Sequence, residues 1–485
     1  MVGSRFVSNR VSRAEQTASG PDPGDPSRRG LWIALAAGLL TLLLPVPEGL
    51  SVEGRRLAAL FVTVILLWVT EALPIGITAL LAVLLQPLLG IRDLKSAFQG
   101  FASPVFFFVL AMFCIAAAIT SAGLERRFAY WLLDRAGTDS RRVVIALMLG
   151  SALTSTIISD VPACAIFMAI GLGVLRRLEA KPGESSFAKA VMIGIPIGSL
   201  IGGVATPAGS SINILGIHFI EEYGGVRIPF LDWMLLGVPM VVVLLPIACW
   251  VVLRVFPPEM ASVGGREEVR GERAALGGMS GSEKKTIALL AAMIALWVAG
   301  SWIPALSTVV VALAGTVLMF VPGVSLLTWE RAERSISWAT LLMIGGVVSI
   351  GSASLDAGLA RWLVDTLLGG LGSWDLVWIV AAISAFTVVI HLALPIGPVI
   401  NAVLIPPIAL LAQETGHNPA LLALPVAFTA SCSMLLPIDP VPLITYAKGY
   451  YRMFDMAKVG TIISVFWVIW MTVLMLLVAP LIGIA

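Results

Sequence analysis

The feature that most constrains this chain is a series of long apolar runs. A helix needs about 20 apolar residues to cross a bilayer. Eleven runs approach or exceed that length: 31–47, 57–70, 74–90, 103–121, 188–217, 230–255, 286–302, 304–322, 337–355, 419–447 and 456–482. Charged residues make up only 12% of the chain and the mean hydropathy is +0.98. These values predict an all-α polytopic membrane protein with about 11 transmembrane helices.

Two further apolar regions, 143–175 and 376–412, are too long for one helix and are broken near their centres. Basic residues flank the first region on both sides, and basic residues favour the cytoplasmic face. They are Arg141, Arg142, Arg176, Arg177 and Lys181. Both ends of the region are therefore expected on the same side, so we interpret it as a re-entrant hairpin, and 376–412 as a second one.

The placement of basic residues also predicts topology. Residues 1–29 form a polar tail that we expect to be disordered and cytoplasmic, and 257–285 is a cytoplasmic loop. The carboxyl terminus then lies outside, in a multi-pass protein of the cell inner (plasma) membrane. A net charge of +2 gives no reason to expect nucleic acid as a partner.

The chain resembles itself. "LWVTEALPIGITALLAVLLQPLLG" from Leu67 matches a stretch from Leu296, and "ITSAGLERRFAYWLLDRAG" from Ile119 matches one from Ser354. Five predicted crossings separate the paired segments, so the halves should have opposite orientations, as in many secondary transporters. We assign 30–56 to a first helix and loop, 57–256 to the first inverted repeat and 286–485 to the second.

Four helix breaks are candidate sites, because half-helix termini and free carbonyls hold ions and anions there. They are "TSTIISDVP" from Thr154, "GGVATPAGSSIN" from Gly202, "HLALPIGPVIN" from His391 and "SCSMLLPIDPVPLITYAKGYY" from Ser431. The stretches from Gly202 and from Ser431, together with the repeated segments, resemble those of the divalent anion:sodium symporters. The resemblance covers nearly all of residues 55–480. The resemblance implies two hairpins, an elevator-type homodimer, and a dicarboxylate, citrate or related anion as substrate.

Family members carry Ser-Asn-Thr at both hairpin tips. The first tip here is Ser159, Asp160 and Val161, and the second is Ile396, Gly397 and Pro398, or one residue earlier. The resemblance implies a sodium site at Ser155, Ser159, Asp160 and Gly209. It implies substrate contacts at Asp160, Ser210, Gly397, Pro398, Asp439 and Pro440, to which we add Asn213 as a candidate that packing explains equally well.

Asp160 needs an explanation of its own. An ionised Asp at the bilayer centre costs about 2.5–3.5 kcal/mol, more than the roughly 1 kcal/mol that helix capping contributes. We interpret it as a sodium ligand or as a carboxylate that is protonated during transport. Asp439 has either a similar role or a purely structural one, fixing the Pro-rich unwound segment. His391 is either a proton relay or a structural residue.

These residues leave several functions open. The first is sodium-driven transport of a small organic anion, with Na+ or H+ as the coupling ion and no other cofactor. The alternatives are proton-coupled or ion-independent transport or exchange using Asp160 and Asp439, and a cation/proton antiporter of related architecture. An aspartyl protease would need a close carboxylate pair in a suitable motif, which neither Asp has. We therefore do not expect an enzyme.

Overall fold

The structure is a computed structural model that describes residues 28–368, 370 and 374–484. Most of the predicted amino-terminal tail lies outside these residues; Arg28 and Arg29 begin the first helix. The described chain is helical throughout its regular elements: α1 (Arg28–Leu43), α2 (Val52–Val69), α3 (Ile75–Leu88), α4 (Leu94–Phe98), α5 (Pro104–Ala122), α6 (Leu124–Ala136), α7 (Ser140–Ile158), α8 (Asp160–Arg177), α9 (Ser186–Gly203), α10 (Ser211–Gly224), α11 (Phe230–Val255), α12 (Arg266–Ala275), α13 (Gly281–Ala299), α14 (Thr308–Phe320), α15 (Trp329–Ser335), α16 (Trp338–Asp356), α17 (Leu359–Leu363), α18 (Leu376–Ile390), α19 (Gly397–Glu414), α20 (Pro419–Thr429), α21 (Pro440–Tyr446) and α22 (Met453–Leu477).

Seven stretches of the described chain are helical, long and apolar enough to cross a membrane: Leu94–Ala122, α7, α9, α11, α16, α19 and α22. The predicted class, an all-α polytopic membrane protein, is confirmed. The number of crossings stays a prediction, as does the position of the hairpins relative to the bilayer. Burial separates inner from outer helices, because 89% of the apolar window of α9 is buried but only 50% of that of α11 or α22.

The outer helices carry large apolar side chains on their exposed faces. Val242 and Trp250 on α11 are 64% and 62% exposed, and Val465 and Ile469 on α22 are each 54% exposed. Exposed apolar surface on this scale is unfavourable in water but matches lipid chains. The outer faces of α11 and α22 are therefore suited to the bilayer.

The internal repeat is visible in the order of elements. The series α2 to α11 recurs as α13 to α22, and α12 lies between the two series. The glycines that follow the two long matching helices α5 and α16, Gly123 and Gly358, both have left-handed backbone angles with φ of 76° and 72°.

Contacts between the halves are reciprocal. The pairing of α3 with α16 is matched by that of α14 with α5, and the pairing of α10 with α19 by that of α21 with α8. Such reciprocal pairs are expected where two halves with the same order of elements pack against each other; the opposite orientation of the halves stays a prediction.

The four predicted breaks separate consecutive helices. The chain turns in one residue between α7 and α8, and it takes a longer path between α9 and α10, between α18 and α19, and between α20 and α21. The runs 188–217 and 419–447, which we counted as single crossings, are therefore each two α-helices with a break between them. The first break contains a short 3₁₀ helix, Pro207–Gly209. Non-helical backbone at membrane depth is tolerated where protein buries it.

Candidate functional site

The first hairpin, α7 and α8, is antiparallel and turns sharply at Ser159. A methyl group on Gly150 of α7 would clash with the ring of Phe167 on α8, and these two residues are almost equally far from the turn. Ser159 has φ 86° and ψ 154°, a conformation that glycine adopts easily and serine rarely. This strained residue turns the chain at once, so that Asp160 begins α8.

Asp160 is 5% exposed and accepts three hydrogen bonds. Ser159 Oγ and the Val161 amide donate to its Oδ1 at 3.1 and 2.9 Å, and Ser210 Oγ donates to its Oδ2 at 3.1 Å. The positive end of the α8 dipole also lies at this carboxyl group, because Asp160 is in the first turn. These contacts tie the hairpin tip to Ser210 before α10.

Side-chain and backbone atoms from three segments converge next to Gly203. A methyl group on Gly203 would lie 3.2 Å from Ser155 Oγ, 3.2 Å from the Gly209 carbonyl oxygen and 3.6 Å from Asp160 Cβ. Ser155 Oγ is buried and has no hydrogen-bond partner among the described residues. A hydroxyl and a carbonyl oxygen thus line one small space, with the side chain of Asp160 at its edge, and such hard oxygen donors suit a small cation.

Asn213 holds the segment 204–210, which contains a short 3₁₀ helix at Pro207–Gly209, in place. Its Nδ2 donates to the carbonyls of Gly203 and Thr206 at 2.7 and 2.9 Å, and Thr206 Oγ1 donates to the Thr156 carbonyl on α7 at 2.6 Å. Asn213 Oδ1 is buried without a described partner. The residue therefore positions Gly209 and Ser210, and it does not line the cavity described next.

A cavity of about 160 Å³ lies on the other side of the hairpin tip. Helices α8 and α10 begin at it, and so does α16, whose Ser337 Oγ lies 2.8 Å from Thr340 Oγ1. Helix amino termini and hydroxyl groups favour an anion in such a space, and the apolar side chains limit its size. The lining residues are Phe108, Val109, Met112, Phe113, Ile158, Ser159, Asp160, Val161, Pro162, Ala208, Ser210, Ser211, Ser337 and Thr340.

The second half of the site is built differently. Asp439 is 5% exposed and caps α21 by accepting a hydrogen bond from the Val441 amide at 3.0 Å, with Pro440 in the first turn. It lines a cavity of only about 10 Å³ with His391 and Ser433. The predicted residues of the second half thus lie outside the 160 Å³ cavity, and Asp439 faces a separate, much smaller space.

Gly397 and Pro398 open α19 and are buried. A methyl group on Gly397 would lie 2.5 Å from the side chain of Ile212 and 2.6 Å from the Ala430 carbonyl oxygen. The glycine therefore allows α19 to approach α10 and the α20–α21 break closely. This packing brings the two helix breaks together. Neither Gly397 nor Pro398 lines the 160 Å³ cavity.

Cys164 connects the two halves. It lies one turn after Asp160 on α8, and its Sγ donates to the Val441 carbonyl at 3.4 Å. Val441 in turn follows Asp439 by two residues and donates to it. Asp160 and Asp439 are therefore held on either side of one helix contact, α8 against α21.

A family model decides what kind of protein this is. The sodium:sulfate symporter transmembrane region matches residues 27–484. The chain belongs to the divalent anion:sodium symporter family. Membership confirms the predicted resemblance, and it makes the chain a multi-pass membrane transporter and not an enzyme.

Relatives of this transporter match it over most of its length. A membrane protein of Cupriavidus necator is 28% identical over 90% of this chain and 89% of its own. The sodium-dependent dicarboxylate transporter SdcS of Staphylococcus saprophyticus is 28% identical over 94% of this chain and 92% of its own. The crystal structure of the Alcanivorax borkumensis YdaH transporter covers 94% of this chain and 98% of its own at 13% identity, with a TM-score of 0.51, which shows a shared fold.

Several residues of the candidate site were not among the sequence predictions. Gly203 and Thr206 stand inside the quoted stretch "GGVATPAGSSIN", and Cys164 is four residues after Asp160, a spacing that puts both on one helix face. Those signals were available. Ser337 and Thr340 reach the cavity from the other repeat, and nothing in the local sequence indicates this.

Proposed function

We propose that the protein is a sodium-coupled secondary transporter of a small organic anion of the di- or tricarboxylate kind. The observation that carries the proposal is the convergence of Ser155 Oγ, the Gly209 carbonyl and Asp160 around Gly203. Relatives described as sodium-dependent dicarboxylate transporters support the choice of ion and substrate.

Sodium and the anion would depend on each other. An anion in the 160 Å³ cavity is close to the Asp160 carboxylate, and like charges repel strongly where water is excluded. A sodium ion bound by Ser155, Ser159, Asp160 and Gly209 neutralises that carboxylate. The anion then interacts with Ser210 and with the helix amino termini at the cavity. This electrostatic dependence is the proposed basis of coupling.

The movement proposed for transport is elevator-type. In it the two hairpins carry the bound ion and anion past the remaining helices, in a homodimer with its amino terminus in the cytoplasm and its carboxyl terminus outside. The reciprocal contacts of the two halves support this, because exchanging the two packings would expose the site to opposite sides.

Uptake of labelled succinate by proteoliposomes tests the proposal. We expect uptake to require a sodium gradient, and Asp160→Asn to raise the sodium concentration for half-maximal uptake about tenfold or more, since a charged ligand is lost. Asp375→Asn, at the exposed cap of α18, is the control and should leave uptake unchanged. Equal uptake with choline in place of sodium would remove the sodium coupling.

A second candidate is proton coupling through the other half-site. His391 Nδ1 and Ser433 Oγ are buried without partners in the described chain, beside Asp439 in a cavity of about 10 Å³. An imidazole nitrogen and a carboxylate in so small a space suit a proton better than a sodium ion.

This candidate predicts sodium-independent uptake driven by an inward proton gradient and lost in Asp439→Asn. Sodium and proton exchange with no organic solute present would indicate a cation/proton antiporter instead. If the pH dependence of uptake is the same in Asp439→Asn as in the wild type, the proton site is not at Asp439.

A further inference from the structure

Glu125 is a buried carboxyl group that the transport site does not use. It stands in the first turn of α6, directly after the membrane-length stretch that ends at Ala122, and it is 8% exposed. Its Oε2 is buried and has no hydrogen-bond partner among the described residues. A buried carboxylate oxygen without a donor is costly, and an external ligand that donates hydrogen bonds would remove the cost.

Two spaces of different character meet at Glu125. One is a cavity of about 800 Å³ between α6, α8 and α12. The other is a crevice of about 290 Å³ between α5, α6, α7 and α13, lined by apolar side chains apart from Glu125 and Thr154. The apolar residues of the crevice are Ile119, Leu124, Phe128, Leu153, Ile157, Ile158, Ile287 and Leu290.

The larger cavity is amphipathic and carries an excess of one negative charge. One wall is a face of α8 with small and apolar residues at helical spacing: Ile166, Ala169, Ile170, Gly173 and Val174. The opposite rim holds two ion pairs, Arg126 with Glu272 at 2.8 Å and Arg177 with Glu268. Glu125 is the carboxylate of this cavity that has no cationic partner.

We propose that this is a binding site for a phospholipid with a primary ammonium headgroup. The ammonium would donate to Glu125, the lipid phosphate would face Arg126 and Arg177, and an acyl chain would enter the apolar crevice. A quaternary ammonium has no N–H to donate. A glycerol headgroup donates hydroxyl hydrogen bonds but has no positive charge, so only a primary ammonium supplies Glu125 with both a donor and a cation. The inference does not depend on which ion or anion the protein transports.

Native mass spectrometry of the delipidated protein tests the proposal directly. Phosphatidylethanolamine, phosphatidylcholine and phosphatidylglycerol with identical chains are titrated separately, and free ethanolamine is a fourth arm. We expect one tightly bound phosphatidylethanolamine, with about tenfold weaker binding of the other two lipids. Equal binding of the three lipids, or binding of free ethanolamine as tight as that of the lipid, would overturn the proposal.

Three variants separate the site from general lipid adhesion. Glu125→Gln keeps the shape, removes the charge and should reduce the preference for phosphatidylethanolamine about tenfold. Gly173→Phe should block the cavity, since the space beside Gly173 is open, whereas Gly173→Ala should not. Glu184→Gln, whose side chain is 74% exposed, is the charge control. Retention of the preference in Glu125→Gln would refute the role of Glu125.

The site should also respond to pH. Burial raises the pKa of the Glu125 carboxyl to about 7. Its charged or titratable neighbours are Arg126 and Tyr130 on α6, Arg177 on α8, and Glu268 and Glu272 on α12, while α7 and α13 present uncharged residues. As the pH falls through 7, Glu125 gains a proton and the lipid preference should weaken. A preference that is unchanged between pH 6 and pH 8 in the wild type would contradict the ionic contact.

Discussion

At the scale of single residues, Ser159 is the most informative position of the hairpin. Its backbone lies in a region that costs a residue other than glycine about 1–3 kcal/mol. A glycine would avoid the strain, yet it could not donate to Asp160 as Ser159 Oγ does. We infer that the hydroxyl offsets the strain, and that the position serves the site more than the fold.

Substitution at Ser159 separates these two effects. Glycine and alanine both remove the hydroxyl, but only alanine retains the strained backbone. We expect Ser159→Gly to be more stable than Ser159→Ala by about 1 kcal/mol, because relief of strain exceeds the 0.5–1 kcal/mol entropy cost of glycine. Thermal unfolding of the two purified variants measures this. Equal melting temperatures would show that the turn is not strained.

At the scale of elements, the approach of α9 to α7 determines the candidate ion site. Gly202 and Gly203 end α9, and they face different surroundings. A methyl group on Gly202 would clash with the Ala152 backbone of α7, whereas one on Gly203 would enter the space between Ser155, Gly209 and Asp160. Gly202 thus allows the two helices to pack closely, and Gly203 leaves space for the candidate ion site.

This difference predicts opposite outcomes for two adjacent substitutions. Gly203→Ala should fold, because its methyl contacts at 3.2 Å need only small shifts. Its methyl group would fill the ion site, so the sodium concentration for half-maximal uptake should rise about tenfold or more. Gly202→Ala should lose stability by about 1–3 kcal/mol through overpacking. Sodium-dependent uptake and size-exclusion profiles of both variants provide the measurement. Normal sodium dependence in a folded Gly203→Ala protein would place the ion elsewhere.

At the scale of the whole molecule, the two halves share an element order but differ in their sites. The first half-site adjoins a cavity of about 160 Å³, and the second adjoins one of about 10 Å³. The cause is local: Pro395 and Ile396 before α19 and Gly397 at its start offer no hydroxyl or amide side chain. A symmetric scaffold therefore carries an asymmetric site.

Alternating access predicts that a thiol at the cavity changes its exposure during transport. Val161 is 40% exposed and lines the cavity, while Cys114, Cys164, Cys249 and Cys432 are buried and give little background. We expect Val161→Cys to react with a membrane-impermeant maleimide and to be protected several-fold by sodium with succinate. Phe454→Cys, at an exposed position that is 75% accessible, is the control. Equal labelling with and without sodium and succinate would argue against an occluded state.

The sequence by itself determined the class of protein and most of its elements. Apolar runs, glycines and prolines act locally, so membrane-length helices, the breaks near Asp160 and Asp439, and the repeated order of segments could all be predicted from one chain. The family could be recognised as well, because its motifs are contiguous stretches.

Tertiary structure alone decided which residues meet. Ser155, Asp160 and Gly209 converge because Gly203 lets their segments approach closely, and Ser337 arrives from the other repeat. Gly397 and Pro398 are buried between helices, outside the 160 Å³ cavity, and Asn213 supports the segment between α9 and α10. Their predicted contact with substrate stays a prediction. These outcomes depend on contacts between segments that are distant in sequence, and local hydropathy does not predict such contacts. Long-range packing therefore determines the composition of the site.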